Sequence, residues 1–209
     1  MIIIGDVHGC FKTLMALIDK LPKDRNISFV GDLIDRGPLS RDVVKFVREN
    51  NHRCVIGNHE DMSMNNTHDW LKHGGMQTFS SYSDDEKGWE DDQKWFLDLP
   101  HFISFPELKD EEGRALLISH SSAGPVWELD QDGDEFKHSL MWNRLKPSSP
   151  KGFYNVFGHT PQRDGALLGE DYANIDTGVF YEDGHLSAML FPEKQIITQE
   201  LIDDVKFKS

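Results

Sequence analysis

Three short blocks within the first 60 residues gather side chains that bind cations and move protons: Gly5-Asp6-Val7-His8-Gly9, Gly31-Asp32-Leu33-Ile34-Asp35-Arg36-Gly37 and Gly57-Asn58-His59-Glu60. Asp6, Asp32 and Asn58 stand 26 residues apart, and each follows a short apolar run. A carboxylate, imidazole or carboxamide at the end of three successive strands is the spacing a two-metal hydrolase needs. Two more histidines repeat the pattern: His120 ends the apolar run Ala115–Ser119, and His159 follows the run 154–157 through Gly158. Small residues beside such donors let the backbone turn sharply, so that the side chains point into one cavity. Two divalent ions about 3.5–4 Å apart need a bridging oxygen donor. Asp32, central in the set, is the candidate bridge. Imidazole and carboxamide donors suit manganese, iron or zinc better than calcium or magnesium. With no cysteine in the set, a thiolate zinc site is disfavoured.

The elements that must carry these donors alternate in the first half. The run 1–4 is apolar throughout, as expected of a strand covered on both faces. Phe11, Leu14, Met15, Ile18 and Leu21 then recur at helical spacing, and Pro22 ends that helix. Residues 27–30 read as a second strand, 39–50 as a helix with Val43, Val44, Phe46 and Val47 inward, and 53–56 as a third strand. Two strand–helix–strand units of this length imply parallel strands, whose carboxyl ends carry the ligand-binding loops of open α/β sheets. The spans 66–82 and 85–99 read as helical, with a break at Gly74-Gly75 and a stop at Pro100. The second half reads as strand-rich, with candidates at Ala115–Ser119, 154–157, 173–175, 186–191 and 195–201. The acidic run 83–92 reads as a solvated loop and helix start.

At 209 residues the chain is expected to form a single domain over 1–209 with a sizeable core. A formal charge of −14 argues against nucleic acid as a partner. Two cysteines, Cys10 and Cys54, are too few for a disulfide framework and read as small core residues of a reducing compartment. The start lacks a basic flank and a long apolar core, and no stretch is long enough to span a bilayer. The expectation is a cytoplasmic protein without membrane contact.

Gly-Asp-x-His-Gly, Gly-Asp-x-x-Asp-Arg-Gly, Gly-Asn-His-Glu and a later Gly-His, in that order, resemble the signature of the phosphoprotein phosphatase family of metallophosphoesterases, in its short bacterial and phage form. Trp70-Leu71 ahead of Gly74-Gly75, Trp142-Asn143-Arg144 and Asn174-Ile175-Asp176-Thr177-Gly178 extend the resemblance to about residue 180. It implies an α/β calcineurin-like fold, with two mixed β-sheets in a central sandwich flanked by helices and a dinuclear site at strand carboxyl ends. Carried over motif by motif, Asp6 and His8 would bind the first metal, and Asp32 would bridge. Asn58, His120 and His159 would bind the second. His59 would be the general acid, oriented by Asp35, and Arg36 and Arg144 would hold the phosphate oxygens. The implied cofactors are two divalent ions, manganese first, with iron or zinc as alternatives. One departure stands out: the family usually continues its His120 position with a small residue and then glycine, whereas this chain has His120-Ser121-Ser122-Ala123-Gly124. His73, ahead of the glycine pair, reads as a rim or structural residue.

A water bridging two cations loses its proton near neutral pH, so the resemblance implies direct in-line attack on phosphorus with no phosphoenzyme. The implied activity is a phosphomonoesterase acting on phosphoserine and phosphothreonine proteins or small phosphoesters, with phosphotyrosine as an extension. The rival on the same motifs is a dinucleoside polyphosphate hydrolase. Such relatives often lack the Asp of Asp-Arg-Gly and carry Asp after Asn-His, so Asp35 and Glu60 favour the protein phosphatase. A silent metal-binding module would have lost a ligand or the acid, and none is missing.

Overall fold

The computed structural model describes residues 1–206. β1 (Ile2–Ile4), α1 (Phe11–Lys20), β2 (Ile27–Phe29), α2 (Ser40–Glu49) and β3 (Arg53–Cys54) form the expected alternation. Then follow α3 (Asn58–Asn65), α4 (Thr67–Trp70), a wide π-turn over Leu71–Gly75, α5 (Met76–Ser81) and α6 (Glu86–Leu97). The second half contains β4 (Phe102–Lys109), β5 (Ala115–Ser119), α7 (Asp134–Trp142), β6 (Phe153–Phe157), β7 (Leu167–Leu168), β8 (Tyr172–Asn174), β9 (His185–Leu190) and β10 (Gln195–Glu200).

Among the described residues, ten strands make two five-stranded sheets, ordered β10-β9-β1-β2-β3 and β4-β5-β6-β8-β7. β1, β2 and β3 are parallel, and β9 and β10 run antiparallel beside them. In the second sheet β5, β6 and β8 are parallel, with β4 and β7 as antiparallel edges. Both sheets are therefore mixed, as the resemblance implied.

The period-2 geometry of a strand explains the layering. Ile3, Val30 and Val55 face Leu116, Ile118, Tyr154, Val156, Ala173 and Ile175 of the other sheet, and all are buried. Ile2, Ile4 and Phe29 point the opposite way, onto Leu14 and Leu17 of α1 and Val43, Val44 and Val47 of α2. Leu117 of the second sheet meets Phe136 and Leu140 of α7. Cys10 and Cys54 are buried in the layer shared with α1 and α2.

Four elements lie outside the sequence reading, the two-residue edge strand β7 among them. The segment after Gly57 is helical, because Glu60 turns back to accept the Gly57 N–H at 2.9 Å and closes the first turn. β4 contains Pro106, which argues against a strand unless it lies on an edge, and it does. α7 has a mixed polar pattern and sits on the outside of the second sheet.

The hairpin between β4 and β5 is tied to the turn between β9 and β10. The Asp110 carboxylate accepts from the Arg114 backbone N–H at 2.8 Å and Arg114 Nε at 2.8 Å, and lies 3.0 Å from Lys194 Nζ. Burial would raise this carboxyl, but Lys194 and Arg114 outweigh it and hold it at about 2. A depressed folded-state value stabilises above the unfolded value near 3.9 and is lost as pH falls through the folded one. Asp110→Asn should therefore cost about 1 kcal/mol near neutral pH, with allowance for solvent screening. In urea titrations, the gap between variant and wild type should close as pH falls from about 4 to about 2. A gap that persisted at the lowest pH would mean that the loop geometry, not the charge, carries the effect.

Candidate dinuclear metal centre

Turns at the ends of β1, β2, β5 and β6 bring the predicted donors together, and they do so with backbone that few residues adopt. His8 (φ 47°), Asp32 (φ 50°), Asp35 (φ 75°), Arg36 (φ 69°) and His159 (φ 71°) all lie in the left-handed region. Each such residue costs about 1 kcal/mol or more, a strain that clusters where side chains must be aimed. Gly158 is required for another reason: a Cβ there would fall on Asp6 Oδ1. The close approach lets the His159 backbone N–H donate to Asp6 Oδ2 at 3.1 Å.

All ten predicted residues meet in one region. Asp32 lies at its middle, with Oδ2 3.6 Å from His8 Nε2 and Oδ1 3.5 Å from His120 Nε2. Asn58 Oδ1 sits 2.9 Å from His120 Nε2 and 2.8 Å from His159 Nδ1. Ligand-type atoms of Asp6, Asp32 and His120 lie within 4.8 Å of one another, as do those of His8, Asp32 and His59. Arg144 is exposed at the mouth, with Nε 3.4 Å from His159 Nε2. The half-buried Arg36 donates to His8 Nε2 at 2.6 Å and His59 Nε2 at 2.9 Å, and its guanidinium stacks 4.1 Å from the Phe180 ring centre.

These donors fit a pair of divalent cations. His8 Nδ1 donates to the Ile34 carbonyl at 3.0 Å and His120 Nδ1 to the Val30 carbonyl at 2.8 Å, which leaves each Nε2 with its lone pair facing inward. On the His120 side, an imidazole lone pair, the Asn58 oxygen and an Asp32 oxygen then converge with no hydrogen between them. Asp176 Oδ2 is buried nearby without a hydrogen-bond partner among the described residues. Such a set is stabilised by a cation at its centre.

The electrostatics agree. Burial raises Asp6 well above the ordinary carboxylate range, and the charges of Asp176 and Asp32 raise it further. Burial also lifts Asp32 to about 7 and Asp176 to about 6. His8 falls well below its ordinary value through burial and then Arg36, and burial takes His159 to about 2. Neutral imidazoles among mutually repelling carboxylates are the donors that a divalent ion selects.

His59 is set apart by its partner. Its Nδ1 lies 2.5 Å from Asp35 Oδ2, deep in the protein. Burial holds the imidazole well below its usual value and the Asp35 carboxyl well above. Asp35 is gripped in turn: Trp70 Nε1 donates to both carboxylate oxygens at 2.9 Å and Thr78 Oγ1 to Oδ1 at 2.7 Å. Gly74 (φ 108°), in the π-turn between these two residues, packs against the Arg36 backbone, where a Cβ would come within 2.8 Å. The sequence marks Trp70 only as a matching residue, and Thr78 carries no signal at all. His73 is exposed and turns its Nδ1 to the Asp69 carbonyl at 2.7 Å.

Two further features concern residues beside the candidate ligands. The Glu60 carboxylate accepts the N–H groups of Asp32, Leu33 and Gly57 at 2.8–2.9 Å, clamping the Asp32 loop to the Asn58 loop. The unusual Ser121-Ser122 pair also anchors backbone. Ser121 Oγ donates to the Leu140 carbonyl and accepts from Asn143 Nδ2, both at 2.7 Å. Ser122 Oγ donates to the Ser148 carbonyl at 2.9 Å and accepts from the Ser148 N–H at 3.1 Å. The departure thus fixes the loop that carries Arg144.

Comparison with known proteins adds to this geometry. The model of the calcineurin-like phosphoesterases matches residues 1–191. An asymmetrical bis(5'-nucleosyl)-tetraphosphatase of Halalkalibacterium halodurans is 30% identical over 94% of this chain and 92% of its own length. Serine/threonine-protein phosphatase 1 of Salmonella typhimurium is 27% identical over 86% of each chain. A solved structure provisionally identified as a diadenosine tetraphosphatase superposes with a TM-score of 0.68, at 23% identity over 94% of this chain and 91% of that one.

Proposed function

The chain belongs to the calcineurin-like phosphoesterase family, and on that premise we propose that it hydrolyses dinucleoside polyphosphates. The likeness to the Halalkalibacterium tetraphosphatase, which runs the length of both proteins, carries this reading. It reverses the preference drawn from Asp35 and Glu60, for a physical reason. Glu60 spends its carboxylate on backbone N–H groups of the metal-binding loops, so it does not face a substrate. Its presence therefore does not discriminate between substrates.

Two divalent cations held by Asp6, His8, Asp32, Asn58, His120 and His159 would neutralise phosphoryl charge and bring a water to its working pKa near neutrality. The protein's own groups do the rest. Arg144 at the mouth and Arg36 against the imidazoles offer guanidinium forks to the equatorial phosphoryl oxygens. His59, backed by Asp35, is placed to act as proton donor to the departing oxygen, a role that matters most when the leaving group is a poor one. Water adds to phosphorus, the P–O bond to the remaining polyphosphate breaks, and asymmetric cleavage of a tetraphosphate yields a nucleoside monophosphate and a nucleoside triphosphate.

A protein phosphatase remains the second reading, supported by the Salmonella relative and by the intact Asp35–His59 pair. The deciding experiment compares kcat/KM for diadenosine tetraphosphate with that for phosphoserine and phosphothreonine peptides at fixed free manganese, after p-nitrophenyl phosphate has established turnover with and without the metal. The expected result is manganese-stimulated turnover with the tetraphosphate preferred, giving adenosine mono- and triphosphate by chromatography. Preference for the peptides would replace this reading with the second. No metal-stimulated turnover of any substrate would remove both.

A further inference from the structure

Beside the centre opens a cavity of about 460 Å³, within the range of small-molecule sites. Among the described residues its walls include Lys12, Arg36, Leu39, Met76, Asp204 and Lys206. Three cations against one carboxylate is a local reversal in a chain of net charge −14. The reversal is built by the fold. Asp203 is buried and accepts the Lys12 and Thr13 N–H groups at 3.2 and 2.9 Å, while Thr13 Oγ1 accepts the Ile202 N–H at 2.9 Å. These bonds dock the segment after β10 on the start of α1 and bring Lys206 to the same cavity as Lys12. The Lys12 ammonium has no carboxylate partner among the described residues. Lys206 has only Asp204 at 3.7 Å, with both side chains more than four-fifths exposed.

The cavity and the catalytic centre share a wall. Arg36 lines the cavity while its guanidinium reaches His8 and His59. α5 is likewise divided: buried Thr78 holds Asp35, and Met76, 52% exposed, lies over the cavity beside Leu39. Ammonium groups next to a polarizable, adaptable apolar wall suit a ligand with phosphates at one end and a flat ring at the other.

We propose that this cavity holds the part of the dinucleoside polyphosphate beyond the phosphorus under attack, with Lys12 and Lys206 on the distal phosphates and Leu39 and Met76 against the nucleoside. The inference rests on the substrate reading above and extends it to a second subsite. Its test uses the double variant Lys12→Ala/Lys206→Ala of the full chain, with two readouts at fixed free manganese. The first is the ratio of kcat/KM for diadenosine tetraphosphate to that for p-nitrophenyl phosphate, expected to fall about tenfold. The second is the inhibition constant of adenosine triphosphate against p-nitrophenyl phosphate hydrolysis, expected to rise by a similar factor and to weaken with added salt. Both readouts unmoved would overturn the subsite. If wild type fails to cleave the tetraphosphate while the inhibition constant still shifts, the substrate reading falls and the nucleotide-phosphate site stands. If the ratio for an acidic phosphopeptide falls and the nucleotide readouts do not, the cavity serves peptides and the proposal is wrong.

Discussion

His59→Asn should slow turnover of a phosphoserine peptide by about 10²–10⁴-fold, the usual contribution of a positioned proton donor, while both metal ions stay bound. The retention is expected because each cation keeps its other donors: His8 and Asp32 on one side, and Asn58, His120 and Asp32 on the other. The loss should depend on the leaving group. An alkoxide departing from a phosphoserine peptide needs its proton, whereas p-nitrophenolate and a nucleoside triphosphate leave readily without one. The drop in kcat should therefore be steep for the peptide and shallow for the tetraphosphate and p-nitrophenyl phosphate. Metal content by mass spectrometry after gel filtration separates this role from the obvious rival, because His59 Nε2 also lies 3.9 Å from Asp32 Oδ2. A variant that loses a metal ion would make His59 a ligand and leave the acid unassigned.

The parts of the site legible in the sequence are those whose geometry is local. Asp6 and His8, or Asp32 and Asp35, lie within four residues of each other at a strand end, so their motif states the turn and the chemistry together. His120 and His159 were readable because each repeats that strand–donor–turn pattern. What was not legible comes from packing between distant segments. Thr78 reaches Asp35 across 43 positions in sequence, and Ser121 meets Asn143 across 22. A threonine or serine in a helix or loop carries no mark of such a partner. Glu60 is a mixed case: its place in the motif reads as a supporting or helix N-terminal role, which the hydrogen bonds bear out, but its use as a sign of substrate choice finds no support in them. The fold followed the same division. Parallel strands with continuous apolar runs were evident, whereas edge strand β4 and outer helix α7, each covered on one face only, lack a clean period.

Asp32→Asn should also cost activity heavily, and two opposite signs in stability make it diagnostic. The amide keeps the shape of the carboxylate and an oxygen for the His59 backbone N–H, which donates to Oδ1 at 3.0 Å. What disappears is the charge between His8 and His120. Activity should fall by about 10³-fold or more, since the Lewis-acid role of the cations is worth several kcal/mol and the Asp32 carboxylate lies between His8 and His120. In chelator, however, the variant should melt higher than wild type. Asp6, Asp32 and Asp176 are all buried, and the charges of Asp32 and Asp176 both push Asp6 upward, so removing one charge relieves the protein that has no cation to offset it. Adding manganese should reverse the order. Wild type gains about 2.7 kcal/mol for each site filled at one hundred times its dissociation constant, and the variant gains less because its affinity is lower. Melting curves in chelator and in manganese, with a manganese titration by calorimetry, therefore separate loss of a bridging ligand from simple damage to the fold. Damage would lower both curves. A variant that bound two manganese ions with wild-type affinity would place the bridge on another side chain, and Asp176, with its buried unpartnered oxygen, is the one the geometry offers.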